Sequence, residues 1–320
     1  MKKIILFFYN FLSGLSPRFE VLLRRLYWKH SSQLKVLRPY GSKKAEGGKK
    51  HKHVDFEKVL DYLRSRGVGE GSLLLVHSSY DVLECTGLSP EEITIKLLNL
   101  IGPTGTLAMP AIRRFKGTPK YDEILTANTD NLVCTYNVRK TMVTSGMLPY
   151  TLLHWEGSEV SHHPFNPMVA YGALAKRMME HNLDGEYPSP HGPNSSWKFC
   201  YDHDAIVVGL GADLDHYNTI GHVNEEAFGN WLWSDEEWYR LRQFDVIDEN
   251  KNTTRVVVKE RKPEWGMLHS ADTAANKYIY KHHLRERVVI DDEILVCYQP
   301  AKPYIDAMQE LCKKGKSFYY

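Results

Sequence analysis

The chain has 320 residues, of which 42% are hydrophobic and 25% are charged, a composition typical of a globular protein with a sizeable core. Its 41 basic and 39 acidic residues leave a net charge of +2, which gives no support to a nucleic-acid-binding protein. The five cysteines are scattered and include no C-x-x-C pair, so we expect reduced thiols in a cytoplasmic protein and neither a disulfide framework nor a zinc knuckle.

The first 53 residues form a segment of their own. Residues 4–27 alternate apolar side chains with Arg and Lys at near-helical spacing, which is typical of a basic amphipathic helix. Such a helix either lies at the inner face of the membrane or packs on its own domain or on a second subunit, as in a homodimer. Residues 41–53 are rich in Gly and Lys, which predicts a flexible spacer. We therefore expect residues 1–53 to be this segment and spacer, and residues 54–320 to be the catalytic domain.

The folded part begins with alternating helix and strand patterns. Helical spacing of apolar residues at 56–63 precedes an apolar run at 72–76, and a second such pair follows at 90–101 and 106–109. Further apolar runs predict strands at 205–210, 255–259, 288–290 and 294–297, the last three in a meander. This order predicts an α/β fold with a central, mostly parallel sheet, helices on both faces and a smaller antiparallel appended part.

A histidine and a glutamate follow the apolar run at 205–210. His222 and Glu225 thus lie just beyond a strand end, where α/β sheets usually place ligands. In a helix the two positions share a face, and a carboxylate beside an imidazole fixes its tautomer and raises its basicity. Such an imidazole takes a proton from a nucleophile near neutral pH. A solvated His–Glu pair in a strand-to-helix connection would show the same pattern.

Five segments that occur in order together resemble the aminoglycoside 3-N-acetyltransferase family. They are Val76-His77-Ser78-Ser79, Gly102 to Pro110, Ser161-His162-His163-Pro164 with Ala170 and Gly172, Gly192-Pro193-Asn194-Ser195, and Thr219 to Glu225. The resemblance covers residues 55–300 and implies the antibiotic N-acetyltransferase fold with acetyl-coenzyme A as co-substrate. Three positions depart from the family pattern: Val160 stands for an Arg, Pro167 for a Ser and Ser196 for a Pro.

The resemblance also implies which residues bind the coenzyme. The family uses the loop at His77, Ser78 and Ser79 for this purpose, and a Ser-rich turn after a strand presents backbone N–H groups to phosphates or amide carbonyls. Ser195 is carried over as a further coenzyme contact. For the serines, capping of a helix is the structural alternative.

The catalytic roles implied by the resemblance centre on His222. It would act as the general base that deprotonates an amine, and Glu225 would orient it and stabilise the imidazolium. Thr219, a backbone N–H group or His163 would stabilise the oxyanion, and Thr219 matches the family best. Because the cysteines lie outside every motif, direct transfer in a ternary complex is favoured over a covalent acetyl-enzyme.

The sequence therefore predicts an acetyl-coenzyme A-dependent N-acetyltransferase that acts on an amino sugar, nucleotide- or lipid-linked, for a surface polysaccharide. The basic N-terminal segment and the lost family residues favour this acceptor. The alternative is an aminoglycoside antibiotic, because Asp213, Asp215, Glu225 and Glu226 near the site would attract a polycation.

Two other classes of function compete with the transferase. One is a non-catalytic binding module on the same fold, which retention of the His–Glu pair argues against. The other is a metal-dependent hydrolase. The histidines at 162, 163, 203, 216 and 222 match no metal-ligand spacing, so we expect no metal. Trp231, Trp233 and Trp238 favour core packing over a stacking wall for a sugar or a base.

Overall fold

The computed structural model describes residues 52–119, 123, 127–265 and 269–317, together with Leu22. This part of the chain is an α/β fold, which confirms the predicted class. The predicted amphipathic segment at 4–27 and spacer at 41–53 lie outside the described residues, apart from Leu22 and residues 52–53, so they stay predictions. Among the described helices, none is long and apolar enough to span a membrane.

The elements follow one another in an alternating order along most of the chain. The strands are β1 (Leu73–Ser78), β2 (Thr106–Pro110), β3 (Val133–Asn137), β4 (Glu159–Val160), β5 (Met168–Gly172), β6 (Ile206–Leu210), β7 (Tyr239–Ile247), β8 (Thr253–Arg261), β9 (Glu286–Ile290) and β10 (Ile294–Pro300). The α-helices are α1 (Glu57–Ser65), α2 (Tyr80–Leu83), α3 (Pro90–Ile101), α4 (Met147–Leu153), α5 (Ala175–Met179), α6 (Ser196–Asp202), α7 (Leu214–Tyr217), α8 (Val223–Glu226), α9 (Asp235–Trp238), α10 (His269–Lys281) and α11 (Ala301–Lys313). Short 3₁₀ helices span Glu84–Thr86 and Thr219–His222.

The main sheet has the strand order β4-β5-β2-β1-β6-β10-β9. Its central strands β2, β1 and β6 run parallel, as predicted. The strands on both flanks pair antiparallel, so the sheet is mixed and parallel pairing is confined to its centre. On the β9–β10 side the reason is the short connection at residues 291–293, since parallel strands need a crossover of a dozen residues or more.

Helices cover both faces of this sheet. One face carries α1, α3 and α4, which pack against Leu74 and Val76 of β1. The other carries α5, α6 and α11, which pack against Leu73 and Leu75 of the same strand. Side chains alternate between the faces along a strand, so a fully apolar run such as β1 contributes to both cores.

A second, smaller sheet has the order β3-β7-β8, with β3 parallel to β7 and β7 antiparallel to β8. It includes residues 255–259, whereas residues 288–297 form the β9–β10 hairpin at the edge of the main sheet. The predicted meander of these three segments is therefore wrong. The cause of this error is β7, a strand in which Arg240, Arg242 and Asp245 interrupt the apolar residues, so that the sequence pattern did not separate it from its surroundings.

Candidate active site

The site lies at the carboxyl ends of two central parallel strands. Ser78 at the end of β1 is in register with Leu210 at the end of β6, and the backbone N–H of Ser79 donates to the Leu210 carbonyl at 2.9 Å. The chain leaves β6 and folds through α7 and the 3₁₀ helix Thr219–His222 into α8. The predicted catalytic stretch therefore stands at the edge of the sheet where α/β folds usually bind ligands.

The structure brings His222 and Glu225 into contact. Nδ1 of His222 lies 2.8 Å from Oε2 of Glu225. Nε2 of His222 makes no hydrogen bond to any described residue, and the side chain is 23% exposed. An imidazole whose Nδ1–H is held by a carboxylate keeps its lone pair on Nε2, which is the arrangement that a general base requires.

A third residue, which the sequence analysis missed, completes this contact. Arg261, the last residue of β8, places Nη1 at 2.7 Å from Nδ1 of His222 and 3.2 Å from Oε2 of Glu225. It comes from the small sheet, 36 residues beyond Glu225, where three charged residues follow the valine run of β8. Nothing in its local sequence distinguishes it from Arg255 and Lys259, the other basic residues of the same strand.

A second His–Glu pair lies beside the first. The rings of His191 and His222 have centroids 5.0 Å apart. Nδ1 of His191 is 3.2 Å from Oε1 of Glu226, and the backbone N–H of His191 donates to Oε2 of the same carboxylate at 3.1 Å. Both side chains are almost fully buried. The sequence analysis assigned Glu226 only to an acidic lining and did not single out His191.

Burial and charge set the protonation of this second pair. Burial lowers the pKa of His191, and the Glu226 carboxylate only partly opposes it. Burial alone would raise the pKa of Glu226, but His191 and then Arg261 lower it below its usual range. Glu226 is therefore a buried carboxylate and His191 a neutral imidazole at neutral pH.

Two clefts meet at Glu225, the partner of His222. The first, here called the histidine cleft, has a volume of about 220 Å³ and is lined by Thr219, His222 and Glu225 together with Tyr304 and Cys312. Thr219 is half-buried and precedes His222 by three residues in the 3₁₀ helix. The structure thus brings together three of the four predicted catalytic residues.

The second cleft, here called the acidic cleft, has a volume of about 350 Å³. Its charged lining consists of Asp184, Glu225, Glu226, Asp235 and Lys259. Lys259 is itself bound to Asp235 at 2.5 Å, so negative charge dominates this cleft. Glu225 and Trp231 line both clefts.

His163, the fourth predicted catalytic residue, is buried, and both of its ring nitrogens contact the main chain. Nε2 lies 3.2 Å from the Pro188 carbonyl, and Nδ1 lies 3.1 Å from the Phe165 carbonyl. Burial lowers the pKa of His163 to about 4, although the hydrogen bonds to these two carbonyls act to raise the pKa. An oxyanion donor needs an N–H group that faces the substrate. His163 therefore fits a structural role better than the oxyanion role that the sequence suggested.

The residues predicted to bind the coenzyme do not line either cleft. His77 is buried against Trp197, with ring centroids 6.2 Å apart, and burial lowers its pKa to about 4. Ser78 and Ser79 are half-buried at the sheet edge, and the Ser79 side chain does not cap the short helix α2 that follows it.

Ser195 is committed to the helix that it precedes. Its hydroxyl accepts a hydrogen bond from the backbone N–H of Lys198 at 3.0 Å and donates to the Gly192 carbonyl at 2.7 Å. It is the N-cap of α6, so helix capping, the alternative to a coenzyme contact, accounts for the position of this serine.

Two of the predicted acidic residues belong elsewhere. Asp213 binds Arg287 at 2.8 Å, and Asp215 binds the fully buried Arg285 at 2.5 Å. Both carboxylates are therefore neutralised by arginines. The excess negative charge near the site comes from Glu225 and Glu226, as predicted, and from Asp184, which sequence reasoning missed, whereas Asp235 is paired with Lys259.

The remaining histidines lie apart from one another. His162 pairs with Glu249 at 3.0 Å, and His203 stacks on Phe199 with ring centroids 3.7 Å apart. Within the described residues, no group of three or more His, Cys, Asp or Glu side chains is arranged to hold a metal ion. All five cysteines are free thiols.

The tryptophans pack together at the edge of the acidic cleft. Trp233 and Trp238 are buried with ring centroids 5.2 Å apart, and Trp265 stacks on Trp233 at 4.4 Å. Trp231, Trp233 and Trp238 also line the acidic cleft. Core packing and a wall of the cleft, weighed as alternatives in the sequence, are thus combined in one cluster.

Comparison with known proteins places this geometry in context. The family model described as aminoglycoside 3-N-acetyltransferase matches residues 75–312. Aminoglycoside N(3)-acetyltransferase IX of Micromonospora chalcea is 26% identical over 182 residues, which are 54% of this chain and 63% of the relative. The chain spans about six-tenths of the length of the curated relatives it matches.

Solved structures share the fold at low sequence identity. The complex described as AAC-IIIb binary with CoASH has a TM-score of 0.65 and 17% identity, and the match covers 83% of this chain and 98% of that chain. A histidine-to-alanine mutant of aminoglycoside acetyltransferase AAC(3)-IVa in complex with apramycin has a TM-score of 0.59 and 19% identity, and the match covers 84% and 94%.

Proposed function

The chain belongs to the aminoglycoside 3-N-acetyltransferase family, and we propose that it transfers the acetyl group of acetyl-coenzyme A to an amino group of an aminoglycoside-type polyamine sugar. The observation that carries this proposal is the His222–Glu225 contact at the carboxyl ends of β1 and β6, with Nε2 of His222 free for a substrate.

The chemistry needs one proton transfer and one acyl transfer. Nε2 of His222 takes the proton of the acceptor amine as its nitrogen attacks the thioester carbonyl carbon. The carbon–nitrogen bond forms, the carbonyl oxygen becomes negative, and Thr219 in the histidine cleft is the side chain that we assign to this oxygen. The carbon–sulfur bond then breaks, and the departing thiolate takes the proton from the His222 imidazolium. Glu225 stabilises that imidazolium while it exists.

Electrostatics favour a polycationic acceptor. The acidic cleft holds four carboxylates and one lysine and ends at Glu225, beside the base. Such a lining attracts a polyamine sugar and repels the diphosphate of a nucleotide-linked sugar. The aminoglycosides named for the solved relatives support the same acceptor class. We therefore place the aminoglycoside ahead of the surface-polysaccharide amino sugar that the sequence favoured.

For the coenzyme, we retain Ser78 and Ser79 as contacts, because they are half-buried at the same sheet edge and Ser79 is not used as a cap. The solved structure described as AAC-IIIb binary with CoASH holds the coenzyme on the same fold, which supports a coenzyme contact in this chain. His77 and Ser195 are left with structural roles, since burial and helix capping account for them.

The test is a comparison of acceptors. Full-length protein with acetyl-coenzyme A is offered apramycin, sisomicin and a nucleotide-diphosphate-linked amino sugar, and free thiol release is followed with mass spectrometry of the product. We expect acetylation of the polyamines, with kcat/KM that falls as salt is raised, because salt screens the attraction to the acidic cleft. Turnover of the nucleotide-linked sugar alone would reverse the assignment of the acceptor. Absence of thiol release with all three would contradict the transferase assignment.

A further inference from the structure

Arg261 contacts three residues of the site, Trp238, His222 and Glu225. Its guanidinium lies 5.9 Å from the centroid of the Trp238 ring, and its Nη1 atom touches both His222 and Glu225. The side chain is 19% exposed, so water screens it only in part. Its charge also acts on Glu226 and His191, whose pKa values it lowers.

Nδ1 of His222 cannot bind both of its neighbours in the same way. The atom carries either a proton, which it donates to Glu225, or a lone pair, which accepts from Arg261. In the first tautomer Nε2 is free as a base, and Arg261 donates to Glu225 at 3.2 Å and not to the ring. A second proton on the ring would place an imidazolium beside a guanidinium whose Nη1 is 2.7 Å away. Like charges at this distance disfavour that state.

The charges around His222 form a small and nearly balanced set. From α8 come Glu225 and Glu226, from the loop before α6 comes His191, and from β8 comes Arg261. The lining of the histidine cleft adds Lys316, His216, Tyr304 and Cys312, and Asp215 in its pair with Arg285. Glu225, Glu226 and Arg261, which contact the two rings, sum to −1 when both imidazoles are neutral. Removal of Arg261 changes this sum to −2, which favours a proton on the ring of His222.

We propose that Arg261 is a positioning residue of the catalytic centre, which keeps His222 neutral at rest between two buried carboxylates so that Nε2 is free when the acceptor amine arrives. The inference rests on the proposed role of His222 as base, and it adds a residue from the small sheet to the site. It also gives that sheet a function, because β8 ends at the guanidinium.

The test measures kcat/KM against pH in the full-length protein for Arg261→Gln and Arg261→Lys. Loss of the positive charge favours the protonated ring, so the acid limb of Arg261→Gln should move to higher pH by about one unit. At a pH below the limb the rate then falls about tenfold, while the plateau at high pH changes little. Arg261→Lys keeps the charge and should restore the position of the limb.

Arg240→Gln is the matched control. Arg240 lies on the neighbouring strand β7, is 17% exposed and pairs with Glu260 at 2.5 Å. Glu260 precedes Arg261 in β8, so this pair lies on the opposite face of the small sheet from Arg261. If Arg261 had a purely structural role, Arg261→Gln would lower the stability or the plateau rate and leave the acid limb in place. This is also the result that we expect for Arg240→Gln. An unmoved limb in Arg261→Gln, or equal movement in the two variants, would overturn the proposal.

Should Arg261→Gln fail to fold, Glu226→Gln tests the same balance of charge with a shift of opposite sign. Loss of a negative charge beside His222 should move the acid limb to lower pH. A limb that stays in place or rises in Glu226→Gln would also overturn it.

A second readout does not depend on any acceptor. The ring of His222 is followed by NMR in ¹³C-histidine-labelled protein, with His222→Asn used for assignment. We expect its titration in Arg261→Gln about one unit higher than in the unmodified protein. If every acceptor fails but this shift is present, the acceptor assignment is wrong and the role of Arg261 stands. If acceptors are acetylated and the two titrations coincide, the role of Arg261 is wrong and the transferase assignment stands.

Discussion

The His222–Glu225 and His191–Glu226 pairs lie side by side, with ring centroids 5.0 Å apart, but they differ in burial. The side chain of His222 is 23% exposed, whereas that of His191 is 2% exposed. The same two residue types are therefore open to a substrate in one pair and closed to it in the other. Burial, rather than chemistry, decides that the first pair is able to exchange a proton with an acceptor and the second holds a fixed charge.

The strongest way to break this comparison is to remove the open histidine. His222→Ala should lower turnover by about 10²–10⁴-fold, which is typical for loss of a general base, while the free energy of unfolding changes little. Steady-state kinetics and urea unfolding measure the two effects. Near-normal turnover in this variant would exclude His222 from the mechanism.

The open pair was predictable from sequence because its residues are close in the chain. His222 and Glu225 are three positions apart after a strand, so local spacing alone places them together. Their partners were not predictable in this way. Arg261 and His191 come from elements 36 residues after Glu225 and 35 residues before Glu226, and only the tertiary fold brings them to the site.

The fold shows the same division between local and distant information. The parallel centre of the sheet followed from the strand–helix–strand order at residues 72–109. The antiparallel flanks depend on which strands meet at the edges, a long-range choice that periodicity does not encode. The prediction that residues 255–259 form a meander with residues 288–297 failed for that reason. Ser195 shows that a local motif which resembles a coenzyme contact also fits a helix cap.

Removal of the closed histidine should affect stability more than rate. His191→Ala leaves the buried Glu226 carboxylate without its ring partner, and an unsatisfied buried group of this kind costs about 1–3 kcal/mol. The matched control is His181→Ala, which breaks an exposed pair with Asp184 and should cost less than about 0.5 kcal/mol. Urea unfolding compares the two. A loss of turnover as large as that of His222→Ala, at unchanged stability, would show that the closed pair also takes part in proton transfer.

The buried histidines outside the pairs sharpen the comparison through pH. Burial lowers the pKa values of His77 and His163 to about 4 in the folded protein, against an ordinary value of 6.5. The unfolded chain therefore binds these protons first as the pH falls. The free energy of unfolding should be at its full value above pH ~6.5 and should decrease towards pH ~4, by about 1.4 kcal/mol per pH unit for each group. Urea unfolding across this range, with His163→Asn, measures the effect. In this variant the free energy of unfolding should change less steeply with pH, because the contribution of His163 is absent. An unchanged slope would mean that His163 does not titrate in this window.

The smallest expected effect concerns Cys312, a thiol that shares the histidine cleft with His222. Its Sγ atom lies 3.6 Å from the Asn224 amide nitrogen, and burial raises the pKa of the thiol. A covalent acetyl-enzyme would need a thiolate at this position, and a raised pKa opposes one. Serine has the same shape and keeps a hydrogen-bonding group beside Asn224, so Cys312→Ser should leave turnover within about twofold of the unmodified protein.

Mass spectrometry of the unmodified protein after incubation with acetyl-coenzyme A alone provides the complementary measurement, and no acetylated cysteine peptide is expected. An acetylated Cys312, with a loss of turnover in the serine variant comparable to that of His222→Ala, would replace direct transfer by a two-step route through the thiol.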